Sequence, residues 1–194
     1  MKPYMKNSEI ELFKKYLKHS NNYLEYGSGG STLFAIENNI KNIFSIETDN
    51  EWYNKLMNHE KIKNFKNINI KLIDLNCIWW EYVSWCNKKK DINQVKNPNF
   101  YKYVIAFKDI NFDVDLVLID GRFRVCCLLN LYDFLNLNTI ILFHDYTTRP
   151  FYHVIENFYE KIEHIESLQV LKKKKNINTE LLEKLKDEYK LIID

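Results

Sequence analysis

The sequence predicts an α/β fold, a Rossmann-like doubly wound, mostly parallel sheet of about seven strands with helices on both faces. Three observations predict it. Short β-rich runs alternate with stretches of helical spacing. Two of the runs, LVLI (116–119) and TIILF (139–143), are continuously apolar, as central strands covered on both sides must be. Three of only four glycines fall in one hexapeptide, GSGGST (27–32), directly after the first β-rich run.

The chain opens with SEIELFKKYLKHS, where Ser8 and Glu11 have capping-box spacing and Ile10, Phe13 and Leu17 share one helical face. An amphipathic N-terminal helix within residues 1–20 follows from that pattern. The expected strands are NYLEYG, NIFSIET, NINIKLIDL, DLVLIDG and NTIILFHDY, and the expected helices STLFAIENN, NEWYNKLMNHEK, RVCCLLNLYDFL and PFYHVIENFYEKI. IEHIESLQVLKKKK reads as one or two terminal strands. TELLEKLKDEYKLI, with Leu181, Leu182, Leu185 and Tyr189 at helical spacing, forms a C-terminal helical extension over 176–194.

Residues 75–114 break the rhythm with WWEYVSW, a KKKD run and NPNFYKY. Connections in compact domains usually run about 4–6 residues. This segment is therefore read as a lid or acceptor-site insertion, or as a crossover helix packing Trp79, Trp80 and Trp85 into the core; as an exposed aromatic insertion it would offer a homodimer contact.

Composition narrows the function classes. A chain of 194 residues suits one domain, 1–194, and a net charge of +2 from 28 basic and 26 acidic residues gives no electrostatic case for a nucleic-acid partner. The start MKPYMKNSEIELFKK lacks the apolar run of a signal peptide, and no stretch approaches the ~20 apolar residues of a membrane span. A soluble cytoplasmic protein is expected. Cys77, Cys86, Cys126 and Cys127 have no CxxC spacing and are expected to be reduced, with Cys126 and Cys127 as core residues. The lysine runs at 88–90 and 172–175 read as solvated loop or strand ends.

The chemistry concentrates at strand ends. In YLEYGSGGST, Gly27 and Gly29 permit a tight turn with close backbone approach, and Ser31 or Thr32 stands where it can cap the next helix. A carboxylate at Glu25 beside this loop repels a pyrophosphate but suits the ammonium of an amino acid. Glu47 ends the second strand, where doubly wound folds place an acid on ribose hydroxyls. Asp74 ends the third and is suited to an adenine amino group. Asp120, His144 and Asp145 stand at the ends of the fourth and fifth strands, in DLVLIDGRFRV and IILFHDYTTRP.

The pattern E-x-G-x-G, an acid after the second strand and an acid after the third resembles the cofactor site of class I S-adenosylmethionine methyltransferases, over roughly residues 20–172. The resemblance implies that Glu25, Gly27 and Gly29 surround the methionine part of S-adenosylmethionine, Glu47 the ribose and Asp74 the adenine, with Ser31 also among the cofactor-binding residues. The LIDG and FHDY segments are similar to those of the branch that methylates hydroxyl groups of sugars, glycans and other small polar acceptors. That similarity implies a divalent metal, Mg2+, between Asp120 and Asp145, although His144 departs from the commonest metal pattern. A hydroxyl acceptor needs a base, and His144 suits that role with Asp120 or Asp145 orienting it. Arg122, Arg124 and Arg149 cluster beside these motifs and suit an anionic acceptor such as a nucleotide sugar. Two other readings use the same fold: a non-catalytic cofactor-binding module acting as a partner subunit, and an NAD site, which Glu25 and the HDY sequence disfavour.

Overall fold

The computed structural model describes residues 1–75, 99–190 and 192 of the chain. Along it run α1 (Asn7–Leu17), β1 (Asn22–Tyr26), α2 (Gly30–Glu37), β2 (Asn42–Glu47), α3 (Asn50–Met57), α4 (Glu60–Asn64) and β3 (Ile68–Leu72). After residue 98 come α5 (Asn99–Val104), β4 (Leu116–Ile119), α6 (Arg124–Leu131), β5 (Ile140–Phe143), β6 (Tyr159–Ile165), β7 (Leu168–Lys173) and α7 (Thr179–Tyr189), with 3-10 helices at Ala106–Asp109 and Pro150–Asn157.

The seven strands form one sheet in the order β3-β2-β1-β4-β5-β7-β6. All neighbours pair parallel except β7, which is antiparallel to both β5 and β6. The doubly wound, mostly parallel expectation holds, with an antiparallel hairpin closing one side.

Burial explains the continuously apolar runs. Successive side chains of a strand face opposite sides of the sheet. Leu116 and Leu118 of β4 join Tyr23, Ile43 and Leu142 in the core against Phe13 and Leu17 of α1 and Ala35 of α2. Val117 and Ile119 join Leu24, Tyr26, Phe44 and Phe143 in the core against α5, α6 and α7. Cys126 and Cys127 are buried in this second core, as expected.

Three local expectations are corrected. The PFYHVIENFYEKI stretch is not one helix: a 3-10 helix ends at Asn157 and β6 begins at Tyr159. There the pairing of Tyr159–Ile165 with β7 outweighs local helical spacing, and the buried Tyr159 hydroxyl donates to the Leu128 carbonyl at 2.8 Å. NEWYNKLMNHEK divides into α3, capped by the Asp49 carboxylate on the Trp52 amide, and α4. In α1 the reciprocal acid is Glu9 rather than Glu11, since the Glu9 carboxylate accepts from the Lys6 amide at 2.8 Å. β6 carries a bulge between Lys161 and Glu163. No helix among the described residues is long and apolar enough to cross a membrane. Cys77, Cys86, Trp79, Trp80, Trp85, the lysine run 88–90 and most of the 75–114 insertion lie outside the described residues.

Candidate active site

The chain builds β1, β2 and β3 outward in one direction and β4 and β5 in the other, so the topological switch point lies between β1 and β4. A crevice opens at the carboxyl ends of strands at such a point. The turns that follow these two strands meet there. Gly27 has φ +96°, and a β-carbon on it would lie 3.0 Å from Gly121 Cα. A β-carbon on Gly121 would lie 2.2 Å from the Tyr103 hydroxyl and 3.0 Å from the Gly27 nitrogen. Both positions need glycine because two backbones and the Tyr103 hydroxyl of α5 share the space.

Beneath the glycine-rich turn sits Glu25, fully buried. Its carboxylate accepts from the hydroxyls of Ser31 at 2.6 Å, Ser45 at 2.7 Å and Tyr23 at 3.0 Å, and from that of Thr32. Burial pushes this carboxyl up to about 7 against the opposing effect of the four hydroxyls. The side chain thus ties β1 to β2 and to the first turn of α2, and is directed into the protein instead of the crevice. Ser31 is held in the same cluster. Gly29 places its amide on the Thr32 hydroxyl at 2.9 Å, and the Trp52 indole covers it while donating to the Ser28 carbonyl at 2.8 Å. Gly30 admits the N-terminal segment: a β-carbon there would lie 2.0 Å from the Lys2 carbonyl oxygen.

Glu47, at the end of β2, accepts from the amides of Ser28 at 3.0 Å, Thr48 at 2.6 Å and Asp49 at 2.9 Å. Burial raises its proton affinity, and the three amides act against that rise. It therefore fastens the glycine-rich turn to the β2–α3 turn at the rim of the crevice. Asp74 lies beyond the end of β3 with an exposed side chain, and its carbonyl accepts from Asn99 at 2.7 Å.

Across the switch point, Asp120, His144 and Asp145 come together, with ligating atoms all within 4.8 Å of one another. The Nδ1 of His144 lies 2.9 Å from Asp120 Oδ1. Its Nε2 faces Glu9 of α1 at 3.5 Å, and Asp145 Oδ1 is 3.7 Å from Nδ1. Burial lowers the proton affinity of this imidazole, but Asp120, Asp145 and Glu9 together outweigh it and raise the net value. Asp145 adopts a left-handed backbone, φ +59°, as does Phe123 at φ +51° just after β4. Such conformations in non-glycine residues cost about 1–3 kcal/mol and cluster at functional sites.

The arginines divide. Arg124, buried, donates from Nε to the Gly121 carbonyl at 3.0 Å and from NH1 to the His144 carbonyl at 2.7 Å and to Asp145 Oδ2 at 3.1 Å, and its NH2 lies 3.3 Å from Asp120 Oδ1. Arg149 is more open; its NH2 pairs with Asp145 at 3.1 Å and its NH1 donates to the Tyr152 hydroxyl at 2.7 Å. Arg122 is half-buried, with its amide on the Tyr103 hydroxyl.

Mg2+ takes near-octahedral oxygen ligands and keeps several waters. The cluster offers an imidazole among its three ligands and has a guanidinium already between the two carboxylates. This donor set does not suit Mg2+.

Sequence reasoning missed Glu9. It is 1% exposed and accepts from the Ser167 amide at 2.9 Å and hydroxyl at 2.6 Å, besides facing His144. Apart from the Lys6 amide, its partners lie more than a hundred residues away, and the sequence alone does not bring them together.

No family model matches the sequence and no curated protein matches it. Solved structures do resemble it. A methyltransferase-like protein from Silicibacter pomeroyi DSS-3 is 23% identical, with a TM-score of 0.73 over 97% of this chain and 96% of that one. Cofactor-bound Rv0187 from MTB gives 0.57 at 9% identity, covering 91% and 84%. The N-methyltransferase NodS from Bradyrhizobium japonicum WM9, solved with S-adenosyl-L-homocysteine, gives 0.51 at 12% identity, covering 89% and 88%. At these identities the likeness is one of architecture, and the chain has a Rossmann-like methyltransferase fold.

Proposed function

We propose that the protein is an S-adenosylmethionine-dependent methyltransferase acting on a hydroxyl of a sugar, glycan or other small polar acceptor. The observation that carries this reading is the contact of Gly27 with Gly121 and the Asp120 backbone, which brings the glycine-rich turn beside the turn that holds the Asp120–His144–Asp145 cluster. The methyltransferase-like protein of similar fold supports the reaction class.

The residues present fit the cofactor. Gly29 keeps the turn free of side chain beneath the Trp52 indole, Glu47 offers ribose hydroxyls a carboxylate at the end of β2, and Asp74 is exposed and suited to the adenine. Glu25 and Ser31 act from below, holding the turn in shape. When bound, S-adenosylmethionine supplies an electrophilic methyl group. The chain's own residues then have two tasks. They hold the acceptor oxygen in line with the sulfur–methyl bond, at about 3 Å, since positioning supplies much of the rate. They also take the hydroxyl proton as the new C–O bond forms, a role that suits the hydrogen-bonded Asp120–His144 pair. Arg149, with an open side beyond its pairing to Asp145, is the residue suited to an anionic group on the acceptor.

Thermal shift with S-adenosylmethionine, S-adenosylhomocysteine and NAD tests this reading. A ligand at about 100 times its Kd adds about 2.7 kcal/mol to stability. Stabilisation by the first two alone is expected, and acceptor screening with an Asp120→Asn control then follows. A folded protein that responds to neither ligand would sink the proposal.

A further inference from the structure

We propose that Arg124 is a built-in cation that closes the Asp120–Asp145 pair, so that the strand-end site works without a metal ion. The proposal concerns the same crevice as the methyl-transfer reading, but stands on the chain's own contacts and does not require that reading.

Two acids projecting from the ends of neighbouring parallel strands repel each other unless a cation lies between them. Here the cation is a side chain. Arg124 begins α6, directly after the turn that carries Gly121, and the left-handed Phe123 aims that first helical residue back across the strand ends. The guanidinium places NH1 3.1 Å from Asp145 Oδ2 and NH2 3.3 Å from Asp120 Oδ1. Its remaining contacts, on the carbonyls of Gly121 and His144, lock the fork to both strand ends at once. The side chain is 7% exposed, and a guanidinium keeps its charge at any pH a folded protein meets.

One oxygen of each carboxylate is already held by a guanidinium. Asp120 Oδ1 meets both His144 and Arg124, and Asp145 Oδ2 meets both Arg124 and Arg149. A divalent ion binding these oxygens would stand close to two guanidinium groups and displace charge-assisted hydrogen bonds, which are the stronger kind. Arg124 is thus a positioning residue: it fixes the spacing of Asp120 and Asp145, and through Asp120 the ring of His144.

The test is a Mn2+ titration followed by electron paramagnetic resonance, with no cofactor or acceptor present, on the full chain, on Asp120→Asn, on Arg124→Met and on the double variant Arg124→Met/Asp120→Asn. Arg124→Gln, which keeps hydrogen-bond donors while removing the charge, is titrated in parallel in case the Met variant does not fold. The native chain is expected to bind no Mn2+ at this site. Neutralising Arg124 is expected to create a saturable Mn2+ site that the Asp120→Asn change removes. Saturable binding by the native chain that Asp120→Asn abolishes would overturn the proposal. So would a folded Arg124 variant that binds Mn2+ no better than the native chain. Because no cofactor enters the titration, either failure leaves the methyl-transfer reading to its own test.

Discussion

Gly27 and Gly121 pack backbone against backbone, the Gly27 nitrogen lying 3.0 Å from where a Gly121 β-carbon would stand. The contact joins the two halves of the doubly wound sheet at the point where their directions part.

Gly121→Ala is therefore expected to destabilise the fold by about 1–3 kcal/mol or more, read as a fall in melting temperature of about 2–4 °C per kcal/mol for a chain of this size. The nearest obstacle to the new methyl is the Tyr103 hydroxyl at 2.2 Å. Adding Tyr103→Phe should restore part of the loss but not all, because backbone atoms of Tyr26 and Gly27 remain in the way. Full restoration would show that the backbone contact costs nothing.

Ser8 and Glu9 are neighbours with opposite expectations. Ser8→Ala should stay within ~0.5 kcal/mol of the native stability, as an ordinary surface change does. Glu9→Ala removes the acceptor for the Lys6 amide and for the Ser167 amide and hydroxyl, three part-buried hydrogen bonds, and is expected to cost about 1–3 kcal/mol in all. Urea titration of both variants measures the contrast; equal effects would refute the assigned cap.

Glu25 makes stability depend on pH. Its carboxyl holds a proton more tightly in the fold, about 7 against 4.5 when unperturbed. The stability it lends is therefore complete below the unfolded value and is lost as pH rises through the folded one. Comparing the native chain with Glu25→Gln cancels the other titrating groups. Between about pH 5 and about pH 8 the difference should move in favour of the Gln variant by up to roughly 3 kcal/mol. A difference that does not change with pH would mean that the four hydroxyls fully offset burial.

Glu47 should separate stability from binding. Glu47→Ala leaves the Ser28, Thr48 and Asp49 amides without their acceptor and is expected to lower both the melting temperature and the affinity for S-adenosylhomocysteine. Glu47→Gln, which retains one acceptor oxygen, should lose less stability yet still lose about tenfold or more in affinity, the effect of about 1.4 kcal/mol. Calorimetric titration gives the second quantity. Unchanged affinity in a folded Gln variant would remove Glu47 from the cofactor contacts.

Much of the fold was legible because it rests on local periodicity. The double-sided burial of LVLI and IILF follows from their unbroken apolar character. The helical reading of PFYHVIENFYEKI failed where local spacing competed with a long-range partner, since β6 exists only because β7 returns beside it. In the site, strand-end acids could be found one by one from their positions. Their partners could not. Glu25 points inward because four hydroxyls from β1, α2 and β2 converge on it, Arg124 is taken up by Asp120 and Asp145 rather than left facing an acceptor, and Glu9 reaches His144 from the far end of the sequence. Such convergence is a property of the assembled sheet.

The bulge in β6 bears on how the molecule behaves in a crowded solution. An edge strand offers unpaired amides and carbonyls to any passing strand, and a bulge with charged neighbours is a recognised protection against such growth into fibrils. Here the extra residue is Ile162, 48% exposed, flanked by Lys161, which reaches Glu156, and Glu163, which reaches Lys15 and Tyr16. The kink thus interrupts the ladder at the exposed isoleucine of β6, where an incoming strand would otherwise pair, and so protects the open rim of the sheet against such growth.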